Sequence, residues 1–406
     1  MKALGPIPSG FEADAQGRLL IGGWDAEVLV GEAGGTPLFI YDTRRIADQV
    51  SRFRAALPSE VTLHYAVKAN PYAPLLEAMA GMVDGFDVAS AGELGRVAHL
   101  GLPISFAGPG KRDQELETAI RAGVTVNLES EGEAERTLAI CEREGLTARL
   151  AIRVNPPFGL KGSGQKMGGL PSQFGIDHDR APALIRRIVE AGADWQGLHI
   201  FAGSQALQAD ALIDLQRDTV ALAASICGET GHAPPHINLG GGFGIPYFAK
   251  DEPLDVEAVG KALARTLADR PKILAGSTFA IELGRWLVGE AGVYLTRIVD
   301  RKQSRGKTFL VTDGGLHHQL AASGNFGQLL RRNYPVAIAS RFGADLEEEV
   351  TITGCLCTPL DLLADEVMLP RAGVRDLVAI FCAGAYGLTA SPSAFLSQPM
   401  AREMLV

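Results

Sequence analysis

Short apolar, β-branched runs alternate along most of the chain with longer segments whose apolar positions recur at helical spacing. The runs that read as strands are Leu63–Val67, Gly85–Val88, Ser105–Ala107, Thr125–Leu128, Arg149–Val154, Trp195–Ile200, His236–Leu239 and Thr278–Ile281. Helical segments separate most of them, among them Glu131–Arg143, Ala181–Ala191 and Ala211–Cys227. Ser130 and Glu133 read as a capping box, in which hydroxyl and carboxylate satisfy amide donors that a first helical turn leaves orphaned. Eight β/α units over roughly 250 residues match a (β/α)8 TIM-like barrel, the expected fold. An open doubly wound sheet has the same alternation, and period alone does not separate the two.

Beyond Val288 the texture changes. Tyr294–Val299, Thr308–Val311, Glu349–Thr353, Glu366–Leu369 and Leu377–Phe381 read as strands without regular helices between them, and Leu38–Tyr41 is a further strand near the start. The expected organisation is an α/β barrel over residues 45–288 and a β-rich C-terminal domain over 289–406, joined by an N-terminal segment, 1–44.

Composition narrows the class. Of 406 residues, 47% are hydrophobic and 21% charged, which suits a globular chain with a sizeable core. A formal net charge of −9 disfavours non-specific nucleic-acid binding. Five cysteines in a long chain do not make a disulfide framework, and Cys355 with Cys357 lacks the second cluster a zinc site needs, so no metal is expected. No leader pattern opens the sequence and no apolar run approaches ~18 residues. The expectation is a soluble, cytoplasmic protein without membrane contact.

Three segments carry chemistry. Tyr65-Ala66-Val67-Lys68-Ala69-Asn70 puts a lysine at the end of an apolar strand, where a strand interior would bury it. Burial lowers an ammonium's pKa and frees the amine to attack a carbonyl, and barrel active sites lie at the C-terminal ends of strands. Asn238-Leu239-Gly240-Gly241-Gly242-Phe243-Gly244 follows the seventh strand; without Cβ atoms, backbone amides can close around an anion such as phosphate. Glu282-Leu283-Gly284-Arg285 follows the eighth, with a carboxylate suited to a protonated ring nitrogen and a guanidinium suited to phosphate. Taken singly, the three have ordinary readings as a surface lysine, a flexible turn and a surface ion pair.

Taken in order, Tyr65–Asn70, Gly85–Leu94, Ser172–Asp177, Gly203–Gln205, Gly240–Tyr247, Glu282–Arg285 and Ala383–Gly387 resemble the fold-type III pyridoxal-phosphate decarboxylases. That family includes diaminopimelate, ornithine and arginine decarboxylases and is related in fold to alanine racemase. The likeness runs from about Pro37 to Tyr386. It implies pyridoxal 5′-phosphate as cofactor and amino acid decarboxylation as activity. It implies that Lys68 holds the cofactor, that Ser204, Gly242, Arg285 and Tyr386 bind its phosphate, with Gly241 and Gly284 beside them, and that Glu282 pairs with the ring nitrogen. Asp87, Glu93, Arg153 and His199 are implied near the ring or the lysine, and Cys357 as the acid that returns a proton after CO₂ leaves. In such enzymes that cysteine comes from the other subunit, so a homodimer with shared sites is implied. Thr358, Asp361 and Tyr334 fall where substrate would bind. A glutamate at 282 speaks against racemization, because alanine racemases place an arginine at the ring nitrogen and weaken the electron sink.

Two departures bear on substrate. Where the family carries a ring-stacking histidine, this chain has Phe201, which can stack but cannot carry charge. His199 points to the same strand face and either compensates or is a core histidine. Directly after Cys357, ornithine and diaminopimelate decarboxylases have an acid that meets the distal ammonium of the substrate; here the residue is Thr358. Gly354–Asp361 with Arg332-Asn333-Tyr334-Pro335 resembles the branch acting on an aminoacyl group tethered to an acyl carrier protein, or associated with exosortase and exopolysaccharide systems. Such a substrate calls for a basic or apolar patch at the entrance. The alternatives are a decarboxylase of a free amino acid such as diaminopimelate, and a non-catalytic homologue, against which Lys68, Glu282 and Cys357 all stand.

Overall fold

The computed structural model describes residues 2–160, 165–166, 168–328 and 330–406. They form two compact units, one of residues 50–244 and 253–284, the other of residues 1–49, 245–252 and 285–406.

The first unit is a closed parallel barrel. Its strands are β1 (Val61–Ala66), β2 (Gly85–Val88), β3 (Ile104–Phe106), β4 (Thr125–Leu128), β5 (Arg149–Asn155), β6 (Asp194–Ile200), β7 (His236–Asn238) and β8 (Thr278–Leu283). Each pairs in parallel with the next, and β8 pairs with β1, which rules out the open sheet. Strand period explains the layering. On β1 the buried Val61, Leu63 and Tyr65 share one face, and Thr62, His64 and Ala66 share the other. The helix Glu131–Glu144 shows how its start is fixed: Ser130 Oγ accepts from the Glu133 amide at 3.1 Å. The capping box is not reciprocal, however. The Glu133 carboxylate accepts from the Glu129 amide at 2.8 Å and pairs with buried Lys111 at 2.6 Å.

The second unit is built on the long strand Gly292–Ser304. It pairs antiparallel with Leu38–Tyr41, Leu377–Ile380 and Lys307–Thr312. Lys307–Thr312 continues in parallel to Glu348–Thr353, and Arg402–Leu405 lies parallel to Leu38–Tyr41. Leu38, Ile40, Val293, Leu295, Leu377 and Phe381 bury one continuous apolar cluster here; each such side chain contributes about 1.5–3 kcal/mol. Among the described residues, no helix is long and apolar enough to cross a membrane.

The barrel interior holds a group that makes stability depend on pH. His236 opens β7, with Nδ1 2.8 Å from Thr278 Oγ1. Burial, helped by His64 and His199, pushes its imidazole down to about 4 from an ordinary 6.5. As pH falls, the unfolded chain therefore takes up this proton first. The stability from keeping His236 neutral is whole above about pH 6.5 and is lost as pH falls toward about 4. In urea unfolding across that window, His236→Gln should lose less stability than wild type, by on the order of 1–3 kcal/mol. Equal losses in both proteins would contradict this.

Candidate active site

The C-terminal ends of the barrel strands gather the titratable groups. Asp87 lies on β2, Arg153 on β5, His199 on β6 and Glu282 on β8, all buried. Lys68 differs from expectation. β1 ends at Ala66, Val67–Ala69 turn as a short 3-10 helix, and the lysine is exposed on that turn. Lys68 Nζ stands 5.6 Å from the centroid of the Phe201 ring, a cation–π distance. Gly284 explains how the turn fits: a Cβ there would lie 2.6 Å from Ala69 Cβ.

Glu282 is the electrostatic centre of this end. His199 Nε2 is 3.1 Å from Glu282 Oε2, at ion-pair distance without hydrogen-bond alignment, and Asn238 Nδ2 donates to the same oxygen at 3.2 Å. Burial works against the carboxylate's charge, but His199, Lys68 and Arg153 outweigh it and hold the group well below the usual carboxylate range. Arg153 is itself fixed by Glu129 at 2.9 Å and covered by the Phe174 ring at 4.9 Å. Nearby Glu93 goes the other way: burial pushes its carboxyl up, against the Ala89 amide and Lys68. Asn238 and Glu129 were not singled out from the sequence. An asparagine closing a strand before three glycines was the available sign for the first.

The glycine loop after β7 is tight for backbone reasons. Gly240 and Gly242 have φ of 70° and 87°, in the left-handed region that favours glycine. A Cβ on Gly241 would sit 1.9 Å from the Glu282 carbonyl oxygen, and one on Gly242 would sit 2.6 Å from that of Gly203, next to Ser204. Chain and chain thus approach here with no room for a side chain. Gly241→Ala must move either this loop or β8; we expect a stability loss of about 2 kcal/mol or more by urea unfolding, with weakened cofactor retention. An unchanged midpoint would contradict the packing.

In the second unit, Arg285 meets phenols rather than carboxylates. Its Nη1 donates to the Tyr247 hydroxyl at 2.9 Å, and the guanidinium lies 4.6 Å from the Tyr386 ring centroid. Burial disfavours its charge, yet Tyr247 and Tyr386 favour it and the direction is upward. Its buried Nε has no hydrogen-bond partner among the described residues. Tyr386 is held at φ 54°, a strained conformation for a tyrosine. Tyr334 is buried against Tyr247, ring centroids 4.8 Å apart, so its part here is packing on the arginine cluster.

Cys357 is exposed on the loop that follows Glu348–Thr353. Thr358, half-buried beside it, accepts from the Leu360 amide through Oγ1 at 3.3 Å. Asp361 turns inward: it is 2% exposed, and its two oxygens accept from the Leu316 and Leu356 amides at 2.6 and 2.9 Å. Its carboxylate therefore shapes the loop.

The donor set fits pyridoxal phosphate. A carboxylate kept ionised in a buried setting suits a pyridinium nitrogen, a side-chain-free loop suits a phosphate, and an arginine with an unpaired buried Nε suits an anion. The comparisons agree. Residues 43–289 match the family described as pyridoxal-dependent decarboxylase, pyridoxal binding domain. The chain is 37% identical over 383 residues to the L-glutamyl-[BtrI acyl-carrier protein] decarboxylase of Niallia circulans, covering 91% of this chain and 88% of that one. It is 32% identical to a diaminopimelate decarboxylase of Methanothermobacter thermautotrophicus, covering 98% and 92%. The crystal structure of diaminopimelate decarboxylase from M. jannaschii with L-lysine superposes with a TM-score of 0.87 at 25% identity, covering 98% and 93%.

Proposed function

Because this chain belongs to the pyridoxal-dependent decarboxylases and uses pyridoxal phosphate, we propose that it removes the α-carboxylate of an aminoacyl group carried on an acyl carrier protein. The surface beside Cys357 carries this reading. Leu360, Phe326 and Leu330 are exposed there, and Asn325 Nδ2 donates to the Leu360 carbonyl at 3.2 Å, tying the two segments together. Arg332 adds positive charge next to them, stacked 3.7 Å from the Phe248 ring centroid. An apolar, basic surface suits an acidic carrier protein. Thr358 agrees with it: a neutral residue there has no charge for the distal ammonium of a free diamino acid. The Niallia circulans relative, named for a glutamyl group on a carrier, makes a glutamyl group the first substrate to try.

Bound pyridoxal phosphate supplies a sink for the electron pair released when the Cα–carboxylate bond breaks. The chain's residues do the rest. Lys68 Nζ would hold the cofactor. Ser204 and the amides around Gly241 and Gly242 would hold the phosphate in the barrel; Arg285, beside Tyr386 in the second unit, would offer its charge to an anion. Glu282 keeps a proton on the ring nitrogen, and His199, Asn238 and Arg153 keep Glu282 in place and ionised. Phe201 lies beside Lys68, its ring centroid 5.6 Å from Nζ. As the resemblance implies, Cys357, exposed on its loop, would return a proton to Cα in the site of a second subunit, in a homodimer with shared sites.

The test compares glutamyl-loaded carrier protein, free L-glutamate and diaminopimelate, with CO₂ release as readout. The tethered group should react with a kcat/KM at least about 100-fold above either free amino acid. Comparable turnover of diaminopimelate would overturn the tethered reading and restore the free amino acid one.

A further inference from the structure

Strand register sets out one polar row at the catalytic end of the barrel. Arg153 on β5 is in register with His199 on β6, and His199 with Asn238 on β7. Glu129 follows directly on β4, whose last residue, Leu128, is in register with Ile152. Glu129 thus comes beside Arg153, and its Oε1 accepts from Arg153 Nη1 at 2.9 Å. At the other end of the row, Glu282 Oε2 accepts from Asn238 at 3.2 Å and lies 3.1 Å from His199 Nε2. The row therefore holds two carboxylates with one guanidinium between them. Among the described residues, the hydrogen bond of that guanidinium goes to Glu129 and none goes to Glu282. An arginine has five N–H donors, so one such bond leaves it able to serve a second anion.

Glu129 is fixed from several sides. Its Oε1 also accepts from the Gly108 amide, in the loop after β3, and its Oε2 accepts from the Gly175 amide at 3.1 Å, in the chain beyond β5. The Glu129 amide donates to Glu133 Oε2 at 2.8 Å, and Glu133 Oε1 pairs with Lys111 Nζ at 2.6 Å. Lys111 donates in turn to the carbonyls of Gly108 and Asn127, at 2.7 and 2.9 Å. The side chains of these two ion pairs are at most 8% exposed. Taking such ions out of water is costly, and well-packed apolar side chains of similar volume often serve stability as well or better. Stability alone does not account for this cluster.

We propose that Glu129 is a positioning residue that holds Arg153 off Glu282 and so leaves the charge of Glu282 to the ring nitrogen of the cofactor. This rests on the reading of Glu282 as the partner of that nitrogen. Released from Glu129, Arg153 would be a buried cation beside His199, with Glu282 the next carboxylate along the row. Pairing with it would neutralise Glu282 and weaken its hold on the proton of the ring nitrogen. From its present place Arg153 favours the charge of Glu282 without taking it up.

The test loads the enzyme with pyridoxal phosphate isotopically labelled at the ring nitrogen and reads the protonation of that nitrogen by NMR at one fixed pH. Wild type should show a protonated nitrogen. Glu129→Gln should move the signal toward the neutral form and lower kcat about tenfold or more, with much less change in KM. Glu129→Asp keeps the charge; it should move the signal less, in the same direction, and serves in place of Glu129→Gln if that variant does not fold. In the double variant Glu129→Gln, Arg153→Met no cation is left to release, so signal and kcat should return most of the way to wild type, whereas a loss caused by disturbed loops would not return. Glu282→Gln is the control and should move the signal. If it does while Glu129→Gln leaves the signal in place, the proposal is overturned and the role of Glu282 stands. A double variant as impaired as Glu129→Gln would overturn it as well. If Glu282→Gln leaves the signal in place, the reading of Glu282 falls and the role of Glu129 with it.

Discussion

Lys68→Ala should purify without the visible absorbance of a lysine-bound cofactor and should release CO₂ at least about a thousandfold more slowly than wild type. The effect on rate is expected to be chemical. Lys68 is exposed on a 3-10 turn, and the residues that fix that turn are its buried neighbours Val67 and Ala69. Lys68 also favours the charge on buried Glu282, so a modest loss in the urea midpoint of the apoprotein is expected beside the much larger loss of cofactor and turnover. A variant that kept a tenth of wild-type turnover would show that another amine carries the cofactor.

Glu282→Gln should cost about 100- to 1000-fold in kcat. The substitution keeps the shape and removes the charge, so the ring nitrogen would lose the partner that keeps it protonated. Glutamine cannot reproduce the ionised group that His199, Lys68 and Arg153 favour against burial. Stability should move as well. The carboxylate's depressed pKa contributes stability that is present above its unfolded value of 4.5 and is lost as pH falls toward the lower folded value. The variant should therefore be less stable than wild type near neutral pH and converge on it in acid. Glu282→Asp should recover part of the rate. Full activity in Glu282→Gln, measured by CO₂ release, would remove Glu282 from the mechanism.

The barrel rhythm was legible because each strand is short, apolar and followed by a helix-period segment. Closure was not, because it depends on β8 pairing with β1 across more than 200 residues of chain. The positions of Lys68, Glu282 and the glycine loop were readable from their place at the ends of strands. The exposure of Lys68 was not, since one residue decides whether strand or turn carries it. Asp361 looked available for substrate because sequence does not reveal that the Leu316 amide, 45 residues away, takes one of its oxygens. Asn238 and Tyr247 acquire their roles only through tertiary neighbours, Glu282 and Arg285.

The most direct measurement is to reduce the purified enzyme with borohydride, digest it and locate the phosphopyridoxyl group by mass spectrometry. The modification is expected on the peptide bearing Lys68, in an amount matching the loss of decarboxylase activity. Modification of a different lysine, or none after reconstitution with pyridoxal phosphate, would contradict it.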